Sequence, residues 1–314
     1  MPLTVGGQAV IEGVMLRSPN AVAVSVRKAD GSIKSKVCNI RQPSQRFLLF
    51  KWPFFRGIAT LWDSLFLGIR CLNFSAQEAL HDESPDGQKK GTFWPFLLSM
   101  LAAVGIGFVL FFVLPHLFTE LLGSQFPLLK GSGWLFSLAD GAFRLLIFLL
   151  YILVISLMPD IRRVFQYHGA EHQVVHAYES ANEVTVETAR KFGVLHRRCG
   201  TSFLLILLVL VVLLFSFVPY EDDVIDKAAT RLKFLPIVLL LAAGISYELL
   251  RLSAKASDSF VVRALTAPGL LLQRLVTRQP SDEQVKVAIA ALNAVLEAED
   301  RLRENASEKA RQGL

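Results

Sequence analysis

The sequence predicts a mainly α-helical integral membrane protein, built as a bundle of four transmembrane helices with interfacial amphipathic helices and a small N-terminal cytosolic β element. Two observations support this fold class. Of the 314 residues, 53% are hydrophobic and only 19% are charged, whereas soluble domains carry about 25% charged residues. The apolar residues are also concentrated in long blocks, and about 20 consecutive apolar residues are enough to cross a bilayer.

The apolar blocks predict four membrane spans. Residues 91–119 and 201–220 contain no Asp, Glu, Lys or Arg. The other two spans, 134–159 and 232–250, reach the required length only if they admit a few charges. Among these charges, Asp140 and Arg144 have the i, i+4 spacing of an ion pair on a helix. For residues 134–159 and 232–250, a buried hairpin in a soluble core is the alternative to two spans.

The distribution of basic residues predicts the orientation of the spans. Lys and Arg are frequent in residues 1–92, 159–200 and 251–314 and less frequent in the loops between them. By the positive-inside rule, these three segments and both termini lie in the cytoplasm, and the chain is a multi-pass protein of the cell membrane. This asymmetry and contact with anionic lipids explain the net charge of +6 without a nucleic-acid partner. Three widely spaced cysteines do not indicate a disulfide framework.

The remaining segments predict short cytosolic and interfacial elements. Two alternating runs around Asp30-Gly31 predict a β-hairpin. Residues 53–76 have a narrow polar stripe, which is typical of a helix lying in the membrane interface, although a fifth span is the alternative. Ser281 and Gln284 form a capping-box pattern that opens a soluble C-terminal helix. The predicted division is a β element (1–45), an interfacial helix and linker (46–92), the first two spans (93–158), a metal-motif loop (159–200), the last two spans (201–250) and an interfacial segment with the C-terminal helix (251–314).

The stretch "YHGAEHQVVHAYE", residues 167–179, holds three of the six histidines of the chain. On a helix, His168 and His172 are neighbours at i and i+4, with Cβ atoms roughly 5–6 Å apart, so both imidazoles can bind one ion. With Glu171 they form the H-x-x-E-H spacing, in which two histidines hold zinc and the glutamate is the general base. The alternative is a pair of interfacial histidines bonded to carbonyls or lipid phosphates.

A second group of metal-binding residue types precedes the third predicted span. His196 and Cys199 lie on the same predicted face of the membrane as the first group, and both are common zinc ligands. The predicted metal ligands are therefore His168, His172, His196 and Cys199. Imidazole and thiolate ligands favour zinc over magnesium or calcium. Glutamates at positions 12 and 248 reach the same level in this topology, while His176 and Glu179 are expected to support the site or to lie at the surface.

Five motifs, taken in order along nearly the whole chain, resemble those of the bacterial YqhQ family. They are "GGQAVIEGVMLR" (6–17), "HGAEH" (168–172), "HRRCGTSF" (196–203), "GISYELLRL" (244–252) and "PGLLLQRLVTRQPSDEQVKVAIAAL" (268–292). The family consists of multi-pass membrane proteins of unknown function that are predicted to be metal-dependent. The resemblance implies that one functional unit is formed by His168, Glu171, His172, His196 and Cys199. The "HRR" here departs from the usual "HPR" but retains His196 and Cys199.

These observations leave three functional hypotheses. The first is a zinc-dependent hydrolase at the cytoplasmic membrane interface, with Glu171 as the catalytic residue and a membrane peptide or lipid as the substrate. The second is a non-enzymatic membrane scaffold or assembly factor, in which a closed zinc site is structural and the C-terminal helix binds a cytosolic protein. A transporter ranks last, because two of the predicted spans carry no ionisable residue at mid-depth.

Overall fold

The fold combines a small antiparallel sheet with a set of helices, several of them apolar along their whole length. The computed structural model describes residues 3–40, 52, 55–83, 93–180, 183–196, 199–218, 223–255 and 260–312. The strands are β1 (Gly6–Val10), β2 (Gly13–Arg17), β3 (Ala21–Arg27) and β4 (Ile33–Asn39). The helices are α1 (Phe55–Glu83), α2 (Phe93–Phe108), α3 (Leu114–Gln125), α4 (Pro127–Lys130), α5 (Gly133–Ile155), α6 (Pro159–Glu179), α7 (Val186–Ala189), α8 (Gly200–Phe215), α9 (Val224–Lys255), α10 (Phe260–Val276) and α11 (Asp282–Gln312). A π-helical turn, Val109–Val113, joins α2 to α3.

The four strands form an antiparallel meander in the order β1-β2-β3-β4. The turn between β1 and β2 holds Glu12 in the left-handed region, with a φ of 51°. The predicted hairpin at Asp30-Gly31 is confirmed: it joins β3 to β4, and Gly31 has a φ of 82°. Glycine adopts this conformation without steric cost, which is why it suits the turn.

Both faces of the sheet are covered, so the sheet is the middle layer of three. One face, which carries Leu16 and Ala23, packs against α6 and α11. The other face, which carries Val22 and Val24, packs against α1 around Cys71. The chain therefore buries the N-terminal sheet with helices that come much later in the sequence. Because α6 packs directly on β1 and β2, residues of α6 are held at fixed positions relative to the sheet.

A buried carboxylate joins the C-terminal helix α11 to the sheet. Glu299 is only 1% exposed. It accepts hydrogen bonds from the Ser18 hydroxyl (2.7 Å), the Asn20 backbone N–H (3.0 Å) and the Asn20 side-chain amide (2.7 Å). Burial opposes the charged form, but these donors outweigh it and lower the pKa of Glu299. The ionised form of Glu299 therefore stabilises the turn between β2 and β3.

We expect Glu299→Gln to lower the free energy of unfolding by about 2 kcal/mol, because hydrogen bonds to a charged group are worth roughly 1.5–3 kcal/mol. Since the pKa of Glu299 is lowered in the folded state, its contribution is complete above its ordinary pKa of 4.5 and is lost as the pH falls through the folded-state value. Melting temperatures of both proteins in detergent, measured against pH, should converge in acid. Glu297→Gln, at an exposed position of the same helix, is the control, and an equal effect there would contradict the assignment.

Three stretches of the described residues are long and apolar enough to cross a membrane: Met100–Gln125, Gly133–Ile155 and Ala229–Leu252. The third predicted span, residues 201–220, contains most of the 16-residue helix α8, and its last two residues lie outside the described part of the chain. At 1.5 Å per residue this helix is roughly 24 Å long, shorter than the hydrocarbon core of about 30 Å. A mostly helical fold with an N-terminal sheet is confirmed, and the described residues contain three candidate spans. The bundle of four spans stays a prediction.

The helix α8 packs among its apolar neighbours at very short distances. A Cβ atom on Gly141 of α5 would lie 2.1 Å from a methyl carbon of Val212.

The predicted ion pair between Asp140 and Arg144 is confirmed at 3.0 Å, and Arg231 of α9 contacts the same carboxylate oxygen at 2.7 Å. The ion pair of Arg231 with Asp140 connects α9 to α5.

Candidate metal centre

The helix α6 carries His168 and His172 one turn apart, as the sequence predicts. Their ring centroids are 4.5 Å apart. The segment after α10 fixes this part of α6, since the N–H of Arg278 donates to the Phe165 carbonyl at 2.9 Å. Gly169 lies at the contact, where an added Cβ would be 2.0 Å from the carbonyl oxygen of Arg278. Only glycine permits this approach. In "HGAEH", the glycine therefore allows the close packing, and the histidines and the glutamate supply the chemical groups.

Backbone carbonyls orient both imidazole rings. Nδ1 of His168 lies 2.8 Å from the Val276 carbonyl oxygen, and Nδ1 of His172 lies 2.5 Å from the Val194 carbonyl oxygen. A carbonyl can only accept, so both Nδ1 atoms carry the proton and both Nε2 atoms have a free lone pair. Metal-binding histidines commonly have this arrangement. Burial lowers the pKa of His172, which keeps its imidazole in the neutral form that binds metals.

Cys199 completes a group of three soft donors. Its Sγ lies 3.2 Å from Nε2 of His168, and the donor atoms of His168, His172 and Cys199 all lie within 4.8 Å of one another. Ligand atoms around a tetrahedral zinc ion are roughly 3.3–3.6 Å apart, given bonds of about 2.0–2.3 Å. Nε2 of His172 is buried and has no hydrogen-bond partner among the described residues. The three residues therefore fit a tetrahedral ion after small rotations of their side chains.

Cys199 is held in place at the start of α8. It is the N-cap residue of α8 and is 9% exposed, and its sulfur accepts a hydrogen bond from the Thr201 N–H at 3.4 Å. This bond and the contact with His168 fix the position of the sulfur. A thiolate is the form of cysteine that binds a metal.

Glu171 lies beside the three donors. One of its carboxylate oxygens is 3.5 Å from Nε2 of His172, and the residue is 5% exposed. Burial raises the pKa of Glu171, while the His168 and His196 side chains and the Gly7 backbone N–H oppose this effect. The carboxylate is therefore a stronger base than an exposed glutamate, next to the position where the two Nε2 atoms converge.

The fourth predicted ligand, His196, lies next to this group and faces a different carboxylate. Its Nε2 is 3.4 Å from Glu179, and its ring centroid is 5.6 Å from that of His172 and 4.4 Å from that of His176. The side-chain amide of Gln273 holds its backbone with two hydrogen bonds of 2.9 Å. Burial lowers the pKa of His196, and the charge of Glu171 opposes this. The assignment of His196 as a ligand stays a prediction.

Two glutamates considered from the sequence form ion pairs elsewhere. Glu248 binds Arg56 of α1 through both carboxylate oxygens. Glu12 pairs with Arg163 and accepts a hydrogen bond from the Tyr167 hydroxyl at 3.3 Å. Neither belongs to the group of donors formed by His168, His172 and Cys199.

Sequence reasoning missed the residues that position the site. Gly7 approaches α6 so closely that a Cβ would lie 3.3 Å from the Cγ of Glu171, as well as 2.2 Å from the Met15 carbonyl oxygen. Gln273, fully buried on α10, clamps the loop that carries His196. The available signals were the paired glycines of "GGQA" and a lone amide within the apolar run "GLLLQRL".

We expect Gly169→Ala to destabilise the protein by about 2 kcal/mol and to weaken metal binding, because the new methyl group collides with the Arg278 carbonyl. Adding atoms to a well-packed site typically lowers the free energy of unfolding by about 1–3 kcal/mol. This loss exceeds the roughly 1 kcal/mol by which alanine stabilises a helix relative to glycine. Melting temperature and metal content of the purified protein measure both effects. Gly193→Ala is the matched control, since nothing lies within 4 Å of its Cβ position. A fully stable Gly169→Ala protein would exclude the close contact.

The chain was compared with known proteins. The family model described as "Protein of unknown function (DUF1385)" matches residues 52–298. A relative from Bacillus subtilis (strain 168), described as "Uncharacterized protein YqhQ", is 36% identical over 312 residues, which cover 95% of this chain and 94% of the relative. No solved structure matches the chain significantly. The chain belongs to the DUF1385 family, together with the YqhQ protein of B. subtilis.

Proposed function

We propose that this protein is a membrane-bound, zinc-dependent hydrolase whose metal ligands are His168, His172 and Cys199. The observation that carries the proposal is the orientation of the two imidazoles. Both donate Nδ1–H to backbone carbonyls, so both Nε2 lone pairs are available to a metal, and that of His168 lies 3.2 Å from the Cys199 sulfur. Two nitrogens and one sulfur within 4.8 Å of one another are a donor set suited to zinc rather than to magnesium or calcium.

Three protein ligands leave the fourth position of a tetrahedral ion open, which is typical of catalytic rather than structural zinc sites. When bound, zinc lowers the pKa of a water molecule and polarises a carbonyl or phosphoryl oxygen. The carboxylate of Glu171 lies 3.5 Å from one ligand nitrogen, so it is close enough to accept a proton from such a water. Gly7 and the helix α6 hold this carboxylate in place.

The membrane determines which substrates reach the site. Cys199 caps α8, whose other end enters the apolar part of the molecule, and α6 begins four residues after the candidate span Gly133–Ile155 ends. The site therefore lies near the membrane surface, on the cytoplasmic side according to the distribution of basic residues. Peptides or lipids that arrive along this surface are the proposed substrates.

X-ray absorption at the zinc edge, combined with metal analysis of the purified protein, tests this proposal. We expect one zinc per chain, with two nitrogen ligands, one sulfur ligand and one further light atom from solvent. An absence of zinc in protein purified without chelators, or a site without sulfur, would refute the proposed ligand set.

A structural zinc site in a non-enzymatic membrane protein is the second candidate function, and the depth of burial favours it. His172, Cys199 and His196 are each less than 10% exposed, and the site joins α6, the start of α8 and the end of α10. In this case His196 leaves Glu179 and provides the fourth ligand. X-ray absorption that shows three nitrogens and one sulfur from the protein would favour this function over hydrolysis.

A further inference from the structure

The helix α1 has one face packed and the opposite face apolar and exposed. Its packed face lies on the sheet and on α9: Cys71 is buried against the strands, and Gly57 lies against the side chain of Tyr247. On the opposite face, six large apolar side chains are exposed within about 120° of the helix axis. They are Phe55, Trp62, Leu65, Phe66, Ile69 and Leu72.

Among the described side chains of α1, Asp63 and Glu78 lie away from this apolar face and form ion pairs. Asp63 pairs with Arg17 of β2 at 2.6 Å, and Glu78 pairs with Lys34 of β4 at 2.8 Å. Arg70, at the border of the face, stacks its guanidinium 4.3 Å from the Phe66 ring centroid. Among the described side chains, Asn73 is the one polar group within this arc. A helix with a face that is otherwise apolar and with charges mostly on the other side has the pattern of an interfacial membrane helix.

The start of α1 lies beside the end of a candidate membrane span. Arg56 in the first turn of α1 binds Glu248, near the end of the candidate span Ala229–Leu252. Leu252 and Ile245 of that span are themselves exposed. The first turn of α1 is therefore held next to an apolar helix that carries exposed apolar side chains.

We propose that α1 lies flat in the lipid leaflet next to the sheet, with its apolar face inserted at the level of the upper acyl chains. Trp62, which is 75% exposed, then lies at the membrane interface, where tryptophan is commonly found. Arg70 reaches from the border of the face to lipid phosphates, as long basic side chains do at membrane surfaces. The sheet then lies on the opposite face of α1, away from the lipid. This inference does not depend on the metal site.

Fluorescence quenching by brominated phospholipids tests the placement of α1. Full-length protein with Trp62 as its single tryptophan, the other three being replaced by Phe, is reconstituted into vesicles that contain phosphatidylglycerol. We expect Trp62 to lose most of its emission to bromines on the upper acyl carbons and less to bromines near the chain ends. A matched control moves the single tryptophan to the packed face (Trp62→Phe with Phe74→Trp), where quenching should be weak.

Two outcomes would overturn the placement. Strongest quenching by the deepest bromines would show that α1 crosses the membrane. Unquenched Trp62 would mean that water or protein covers this face. In that case, cross-linking of an Ile69→Cys variant tests whether a second copy of the chain covers the face. Cys38 is replaced by Ser in this variant, because it is the exposed cysteine among the three and would cross-link as well.

Discussion

Replacing Glu171 with Gln should leave zinc bound and reduce hydrolysis by about 10²–10⁴-fold, the usual contribution of a general base. Glutamine has nearly the same shape as glutamate, so the contact with Gly7 and the packing of α6 are expected to survive. The amide, however, cannot accept a proton from water. Metal analysis and a panel of membrane peptides and phospholipid esters, tested first for cleavage by the unmodified protein, measure the two effects separately.

The matched control for Glu171→Gln is Glu179→Gln. Glu179 lies on the same helix and pairs with His196, but it is not part of the three-donor group. We expect this variant to keep most of its activity. If Glu171→Gln hydrolyses the panel as fast as the unmodified protein, Glu171 is not the base. If the unmodified protein binds zinc and cleaves none of the panel, the structural role of the site gains support.

The local features of the site were predictable from the sequence, because they depend on helix geometry alone. His168, Glu171 and His172 share one helix, so their mutual positions follow from the spacing of residues. The contact of Cys199 with His168 could also be expected, since both were placed on the same side of the membrane. The orientation of His196 could not, because it depends on the amide of Gln273, which is 77 residues away.

The packing of helices on the sheet was harder to predict than the sheet itself. Alternating runs around Asp30-Gly31 indicated strands, and the pairing of Ser281 with Gln284 is the predicted capping box, with bonds of 2.9 and 3.4 Å. Nothing local, however, showed that α1 covers one face of the sheet while α6 and α11 cover the other. The helices α6 and α11 are distant from the sheet in sequence. An apolar helix face can pack against several other apolar surfaces equally well, so the sequence does not specify which surface it covers.

The fourth span stays a prediction, because composition does not distinguish burial in lipid from burial in protein. The helix α8 is as apolar as a membrane span, but it ends at Phe215 and packs against α5, α9 and α10. Its apolar residues fill contacts such as that of Val212 with Gly141. Other side chains of α8, such as Leu204 and Leu213, are exposed. An uncharged run of 20 residues therefore indicates an apolar helix, but it fixes neither the length of the helix nor its position in a bilayer.

Replacing Cys199 with Ser should weaken zinc binding by at least about 100-fold, since loss of even an indirect support of a ligand costs 10–100-fold. The substitution is otherwise mild. Serine is among the best N-cap residues, so α8 keeps its cap, and the hydroxyl is smaller than the thiol. Competition with a chromogenic chelator measures the affinity, and cobalt substitution reports the sulfur directly through its thiolate absorption band.

Cys38→Ser is the control for this variant, because Cys38 is exposed on β4, far along the chain from the site, and its loss should leave affinity unchanged. Both imidazoles are held by the carbonyls of Val194 and Val276, so the metal-free site is already organised. We therefore expect metal-free Cys199→Ser and metal-free unmodified protein to melt at the same temperature. Zinc should raise the melting temperature of the unmodified protein alone, by the linkage of binding to folding. Equal stabilisation of both proteins by zinc would show that the thiolate is not a ligand.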